Sequence, residues 1–129
     1  MDYKKSLENI EKLLLELKED NKNIPIIVEG EKDINALNKL EIKGIIISVN
    51  KGLSITDFCD WISEKYKEVI ILTDWDRQGG QLCYSIKKNL EGRAICNIDY
   101  RKSFAKNSII KTVEGLPSWL ITIKDKLNR

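Results

Sequence analysis

Residues 69–80 read VIILTDWDRQGG, an apolar run that ends in two aspartates and, shortly afterwards, a pair of glycines. The β-branched run predicts a buried strand. Because side chains alternate along an extended chain, Asp74 and Asp76 should point to one side and Trp75 to the other. Two adjacent carboxylates repel each other and are tolerated best beside a cation. The stretch therefore predicts a metal site at a strand end, with Mg²⁺ as the ion or Mn²⁺ in its place.

Outward from this stretch, short apolar runs alternate with helical patterns. The runs predict strands at 24–29, 44–49, 69–73 and 93–98. Helical spacing of apolar residues predicts helices at 3–21, 32–40, 55–66 and 81–90 and a last helix that begins near Pro117, with an irregular stretch at 100–111. This order favours a Rossmann-like, three-layer α/β/α fold with a mainly parallel, four-stranded sheet.

The length of 129 residues favours one domain. We expect an amphipathic helix within residues 1–23, a core at 24–98, and a basic stretch followed by a helix at 99–129. The apolar face of the first helix either packs on its own sheet or forms the surface of a homodimer or protein partner.

Composition excludes several classes of function. The chain has no histidine, and its three cysteines, Cys59, Cys83 and Cys96, are widely spaced. A Ser–His or Cys–His site, a Cys/His zinc site and a disulfide framework are therefore not expected. No apolar run approaches the roughly 20 residues that span a bilayer, and the first residues are charged. We expect a soluble protein of the cytoplasm, without a membrane segment.

In doubly wound folds the functional site lies beyond the carboxyl ends of the strands. The first predicted strand ends in Glu29 and Gly30, and Lys51 follows the second. If the first and third strands are neighbours, which gives the order 2-1-3-4, Glu29 joins the two aspartates. Glycine at positions 30 and 79 allows close approach of a ligand to the backbone, and Asp33 either supports the site or caps its own helix.

Two segments, VEGEKDINAL at 28–37 and ILTDWDRQGG at 71–80, together resemble the signature motifs of the Toprim domain. Topoisomerases, bacterial-type primases, small ribosomal-RNA maturases and recombination-repair proteins share that domain. The resemblance covers roughly residues 24–98. It implies that Glu29 is the general acid or base and that Asp74 and Asp76 are Mg²⁺ ligands, which Glu29 can join. It also matches Gly30, Gly79 and Asp33 to positions of the family.

Trp75 stands where the family often has proline. Its side chain should face away from the metal, either in the core or as a surface on which a base stacks. Two other families place aspartates at strand ends. Haloacid-dehalogenase-like phosphatases and receiver domains do so after the first strand, whereas this pair follows the third.

The resemblance implies Mg²⁺-dependent phosphodiester chemistry on RNA or DNA, with a nuclease of RNA processing or DNA repair as the leading hypothesis. The alternative is a non-catalytic subunit that binds nucleic acid or a protein partner. Lys51 and Arg77 are candidates for phosphate contacts, or else plain surface cations. Residues 87–111 hold seven basic and two acidic side chains, and form either a nucleic-acid surface or a solvated face.

Overall fold

The computed structural model describes residues 2–49 and 52–128. Its strands are β1 (Ile26–Val28), β2 (Ile46–Ser48), β3 (Glu68–Ile71) and β4 (Ile95–Asn97). Its helices are α1 (Tyr3–Asp20), α2 (Glu31–Lys39), α3 (Ile55–Lys65), α4 (Arg77–Leu90), α5 (Asp99–Asn107) and α6 (Leu116–Leu127). Lys51 lies outside the described residues, so its predicted place beside the site stays a prediction.

The four strands form one parallel sheet in the order β2-β1-β3-β4. This is the predicted order, and it makes β1 and β3 neighbours. Ile26 is in register with Ile46 on one side and with Ile70 on the other. The chain therefore leaves β1 toward one edge of the sheet, through β2, and returns to the other side of β1 as β3, which is the topology that opens a crevice at the carboxyl ends of the strands.

Two apolar cores cover the two faces of the sheet. Alternate strand residues separate them, so that Ile26 and Val28 face one core and Ile27 faces the other. The first core joins the sheet to α1, α2, α5 and α6. The second joins it to α3 and α4, through side chains such as Phe58 and Ile86. The predicted three-layer α/β/α fold is confirmed.

The amphipathic first helix belongs to the core. Ile10 and Leu17 of α1 are fully buried, and the helix packs on α5 and α6. Of the two interpretations of its apolar face, the structure supports packing within the chain. None of the helices in residues 2–49 and 52–128 has both the length and the apolar character needed to cross a bilayer. Cys59, Cys83 and Cys96 are free thiols, as expected.

The helix predictions were wrong at two places. Helix α4 begins at Arg77 and not at residue 81, because Asp76 caps it ahead of the two glycines. Most of the stretch predicted to be irregular, 100–111, forms helix α5, which buries Tyr100 and Phe104 one turn apart. The strands are also shorter than predicted, and β3 ends at Ile71 rather than at residue 73.

Candidate metal centre

The candidate site lies where β1 and β3 end side by side. Glu29 directly follows β1, and Asp74 lies three residues beyond the end of β3. The backbone N–H of Asp74 donates a hydrogen bond to Oε2 of Glu29 over 2.9 Å. Residues 45 positions apart in the chain thus meet at the topological switch point of the sheet. The predicted meeting of Glu29 with the aspartate segment is present in the structure.

The carboxyl group of Asp74 is partly buried and carries an unusual proton affinity. Its pKa is raised from 3.8 to about 7, first by burial and then by a hydrogen bond with the Glu29 side chain and the negative charges of Glu29 and Asp76. The N–H of Val113 donates to Oδ1 of Asp74 over 2.8 Å and opposes the shift. Three carboxyl groups therefore interact at this point, and their mutual repulsion is the feature that a cation would relieve.

Asp76 caps helix α4. Its Oδ1 accepts a hydrogen bond from the N–H of Gly79 over 2.7 Å. One carboxylate oxygen is thus held by the first turn of the helix, where the helix dipole favours the negative charge. The sequence motif presented Asp76 only as a metal ligand, and the structure adds a capping role.

The two glycines of the motifs have different surroundings. At Gly79 an added Cβ would lie 1.8 Å from the backbone oxygen of Asp74, so only glycine lets α4 pack this closely on the strand end. At Gly30 an added Cβ would meet no atom within 4 Å, and its φ of −153° suits any residue. The close approach expected at position 79 is therefore to the protein's own backbone, whereas the space beside Gly30 is open.

Asp33 is buried at the start of α2, where its Oδ2 accepts the N–H of Gly30 over 3.1 Å. Burial raises the pKa of Asp33, and the charges of Asp74 and Glu114 add to the effect against the opposing bond from Gly30. Asp33 thus caps the start of its own helix, which is one of the two interpretations, and its support of the metal site stays a prediction. Arg77, a candidate phosphate contact, is exposed as the first residue of α4.

Sequence reasoning missed a segment that holds the aspartate loop from the other side. The N–H and the indole Nε1 of Trp75 donate to the carbonyls of Lys111 and Ile110 over 2.9 and 2.6 Å. The same segment supplies the bond from Val113 to Asp74. Trp75 is buried and stacks on Phe104. Of the two roles considered for Trp75, the core position is confirmed.

Arg101 of α5 was also missed as a site residue. Its Nη2 donates to the carbonyl of Asp74 over 2.9 Å, and its Nε lies 3.2 Å from the carbonyls of Thr73 and Asp74. Its guanidinium therefore holds in place, by hydrogen bonds, the backbone of the segment that contains the aspartates. The two apolar residues Tyr100 and Phe104 are too few to predict the helix from the sequence, and no local pattern identifies the target of the arginine.

The carboxylates of this site fit a divalent metal that is only partly coordinated by protein. Within the described part of the chain, no group of three acidic or cysteine side chains is arranged as a ready metal site. The available metal ligands are the closely spaced carboxylate oxygens of three residues. Asp74 and Glu29 are in contact, and Asp76 interacts with Asp74 by charge. Mg²⁺ is commonly held by one or two carboxylates together with waters and substrate phosphates. This arrangement fits that kind of site rather than a closed protein cage.

Comparison with known proteins agrees with the fold and the motifs. The Toprim domain family matches residues 24–107. A UPF0292 protein of Thermoplasma volcanium is 46% identical over 76% of this chain and 83% of its own length. A UPF0292 protein of Methanocaldococcus jannaschii is 35% identical over 92% of this chain and 91% of its own.

Among solved structures, a protein from Aquifex aeolicus matches with a TM-score of 0.69 and 29% identity, over 80% of this chain and 94% of that one. Toprim domains generally bind divalent metals such as Mg²⁺ and are usually associated with nucleic acid. The chain therefore belongs to the Toprim domain family and groups with the UPF0292 proteins.

Proposed function

We propose that this protein is a Mg²⁺-dependent enzyme that acts on phosphodiester bonds of RNA or DNA, with hydrolytic cleavage in RNA processing or DNA repair as the reaction. The observation that supports it is the contact between Glu29 and the Asp74 segment at the carboxyl ends of neighbouring strands. Phosphoryl transfer depends mainly on positioning and charge neutralisation, so it needs none of the histidines that the chain lacks.

Each side chain has a role in this proposal. Asp74 and Asp76, joined by Glu29, hold Mg²⁺, which when bound supplies positive charge against a phosphate oxygen. Glu29 takes or gives the proton of the attacking or leaving oxygen, and its bond from the Asp74 N–H fixes its orientation. Asp33 keeps the Gly30 turn in place. Arg77 contacts the phosphate backbone, as does Lys51, which follows β2 in the sequence.

A cleavage assay with matched variants tests the proposal. Labelled single- and double-stranded RNA and DNA are incubated with Mg²⁺, Mn²⁺ or a chelator. Glu29→Gln and Asp76→Asn should each lower the metal-dependent rate by roughly 10²–10⁴-fold. Asparagine at position 76 still offers an oxygen to the Gly79 N–H, so the cap on α4 survives. Glu64→Gln and Asp57→Asn, at exposed positions of α3, are the controls and should cleave like the wild type.

A second function has three observations in its favour. Oδ1 of Asp74 already accepts a bond from Val113, Oδ1 of Asp76 accepts one from Gly79, and no ready three-ligand group is present among the described residues. These facts would suit a subunit that binds nucleic acid or a partner without catalysis. Intact substrates under every metal condition, together with measurable nucleic-acid binding, would replace the enzyme by this second function.

A further inference from the structure

Helix α4 carries a line of exposed side chains that leads away from the carboxylates. Arg77, Gln81, Tyr84 and Lys88 are spaced by four, three and four residues, so they lie on one side of the helix. All four are exposed, whereas the opposite side buries Cys83, Ile86 and Leu90. The line begins directly beside Asp76, which caps the helix. It therefore connects the candidate metal centre to the far end of α4.

Tyr84 is the unusual member of this line, because 65% of its surface is exposed to solvent. It borders a groove of about 360 Å³ between the end of α4 and β4, the outer strand of the sheet. Lys87, Lys88, Gly92 and Cys96 also line the groove. An exposed aromatic ring among lysines is the combination that binds single-stranded nucleic acid, since the ring stacks on a base and the cations hold phosphates.

The charges of this surface remain available to a ligand. Lys88 approaches Glu91 at 3.9 Å, but both side chains are well exposed, and such pairs contribute little. Arg77 and Lys87 add two further cations along the same helix, which has no acidic residue between its first and last positions. A polyanion placed along α4 would meet positive charge at both ends of the line and an aromatic ring between them.

We propose, on the basis of the function proposed above, that the exposed side of α4 and its groove bind a single-stranded segment of the nucleic-acid substrate. One base stacks on Tyr84, and Arg77, Lys87 and Lys88 hold the backbone that runs to the carboxylates. Tyr84 lies seven positions after Arg77 on the helix, about 10 Å along its axis. This distance corresponds to about three stacked nucleotides. Duplex bases are already stacked on one another, so paired substrate cannot use the ring.

Binding measured without metal tests this inference separately from catalysis. Fluorescence anisotropy with labelled single-stranded RNA and DNA, and with duplexes of the same sequences, is carried out in a chelator. The wild type should bind single strands more tightly than duplexes. Tyr84→Ala should weaken single-strand binding by roughly five- to a hundredfold, and Tyr84→Phe, which keeps the ring, should bind like the wild type. Replacing both Lys87 and Lys88 by glutamine should reduce the salt dependence of binding.

Ile121→Ala, at a side chain of α6 that is 71% exposed, is the matched control and should not change binding. The inference is overturned if Tyr84→Ala binds as tightly as the wild type, if duplexes bind as tightly as single strands, or if no nucleic acid binds. It is also overturned if the tyrosine variant changes the mass of the protein in solution, because the ring would then belong to a contact between two copies. Tight single-strand binding that depends on Tyr84, without cleavage, would reject the nuclease and keep the binding surface.

Discussion

At the scale of single residues, Asp74 shows that a carboxyl group placed for metal binding can destabilise the metal-free fold. Its carboxyl group is held partly out of water beside two other carboxyl groups, and its pKa is raised to about 7. A carboxyl group with a raised pKa favours the folded state while it is protonated. Its contribution to the free energy of unfolding is complete below the unfolded pKa of about 3.9 and is lost as the pH rises to about 7.

Asp74→Asn should therefore stabilise the metal-free protein above neutral pH. Asparagine carries no charge and still offers an oxygen to the N–H of Val113. In chelator, the free energy of unfolding of the variant should exceed that of the wild type by roughly 2 kcal/mol at pH 8, allowing for partial exposure of the side chain, and the difference should shrink toward pH 4. Urea denaturation over this pH range measures it. A variant less stable than the wild type at pH 8 would show that Val113 requires a charged acceptor.

The two glycines of the motifs give a second contrast between single residues. Gly79→Ala would place a Cβ 1.8 Å from a backbone oxygen of Asp74, so α4 or the strand end must move. We expect a loss of roughly 2–4 kcal/mol in the free energy of unfolding. Gly30→Ala meets no atom within 4 Å and should change stability by less than about 0.5 kcal/mol.

Denaturation of the two alanine variants measures this difference in stability. A cleavage assay then tests whether glycine at position 30 is needed for access of the substrate. If the open space there admits the substrate, Gly30→Ala should lose metal-dependent cleavage while it keeps its stability. Equal stability losses at both positions would contradict the contrast in packing.

At the scale of secondary structure, helix α5 and the segment after it hold the aspartate loop. Arg101 donates to the carbonyls of Thr73 and Asp74, and its side chain is partly buried. Arg101→Met should release the loop and weaken Mn²⁺ binding by about tenfold, as removal of groups that orient metal ligands commonly does. Lysine at this position cannot form the forked contact, so Arg101→Lys should restore only part of the affinity.

Electron paramagnetic resonance of free Mn²⁺ measures this affinity, and thermal denaturation of the same samples measures stability. Arg93→Met is the control, because Arg93 also binds a backbone carbonyl, that of Asn89, and an aspartate, Asp60. It should affect stability without affecting metal affinity. If Arg101→Met lowers the melting temperature and leaves Mn²⁺ binding intact, the arginine supports the fold alone.

The same elements show what the sequence could and could not predict. The four strands and their order followed from apolar runs and from the need to bring Glu29 beside the aspartates. The start of α4 could not be predicted from the sequence, because two glycines early in a helix are unfavourable and only the Asp76 cap offsets them. Helix α5 has two buried apolar residues among polar ones, too few for a periodic signal. The bonds of Arg101 and Val113 to the loop are tertiary contacts, which no local pattern reveals.

At the scale of the whole molecule, the question is whether the segment beyond the Toprim match is part of the folding unit. The match ends at residue 107, yet α6 buries Leu116, Trp119, Leu120 and Ile123 in the core that also contains α1. Each such side chain contributes about 1.5–3 kcal/mol, and a typical domain is stable by only about 5–15 kcal/mol. A chain that ends at residue 107 should therefore fail to fold cooperatively, in agreement with the proposal of one domain over residues 1–129.

Circular dichroism during heating distinguishes the outcomes. The chain that ends at residue 107 should show no sharp transition. It loses the buried face of α6, the carbonyls of residues 110 and 111 that accept from Trp75, and the Val113 N–H that donates to Asp74. A chain that ends at Lys124 is the control, since residues 125–128 are exposed, and it should melt close to the full-length protein. A cooperative transition in the shorter chain would mean that residues 24–107 fold with α1 alone. The C-terminal segment would then act on the aspartate loop without being needed for the core.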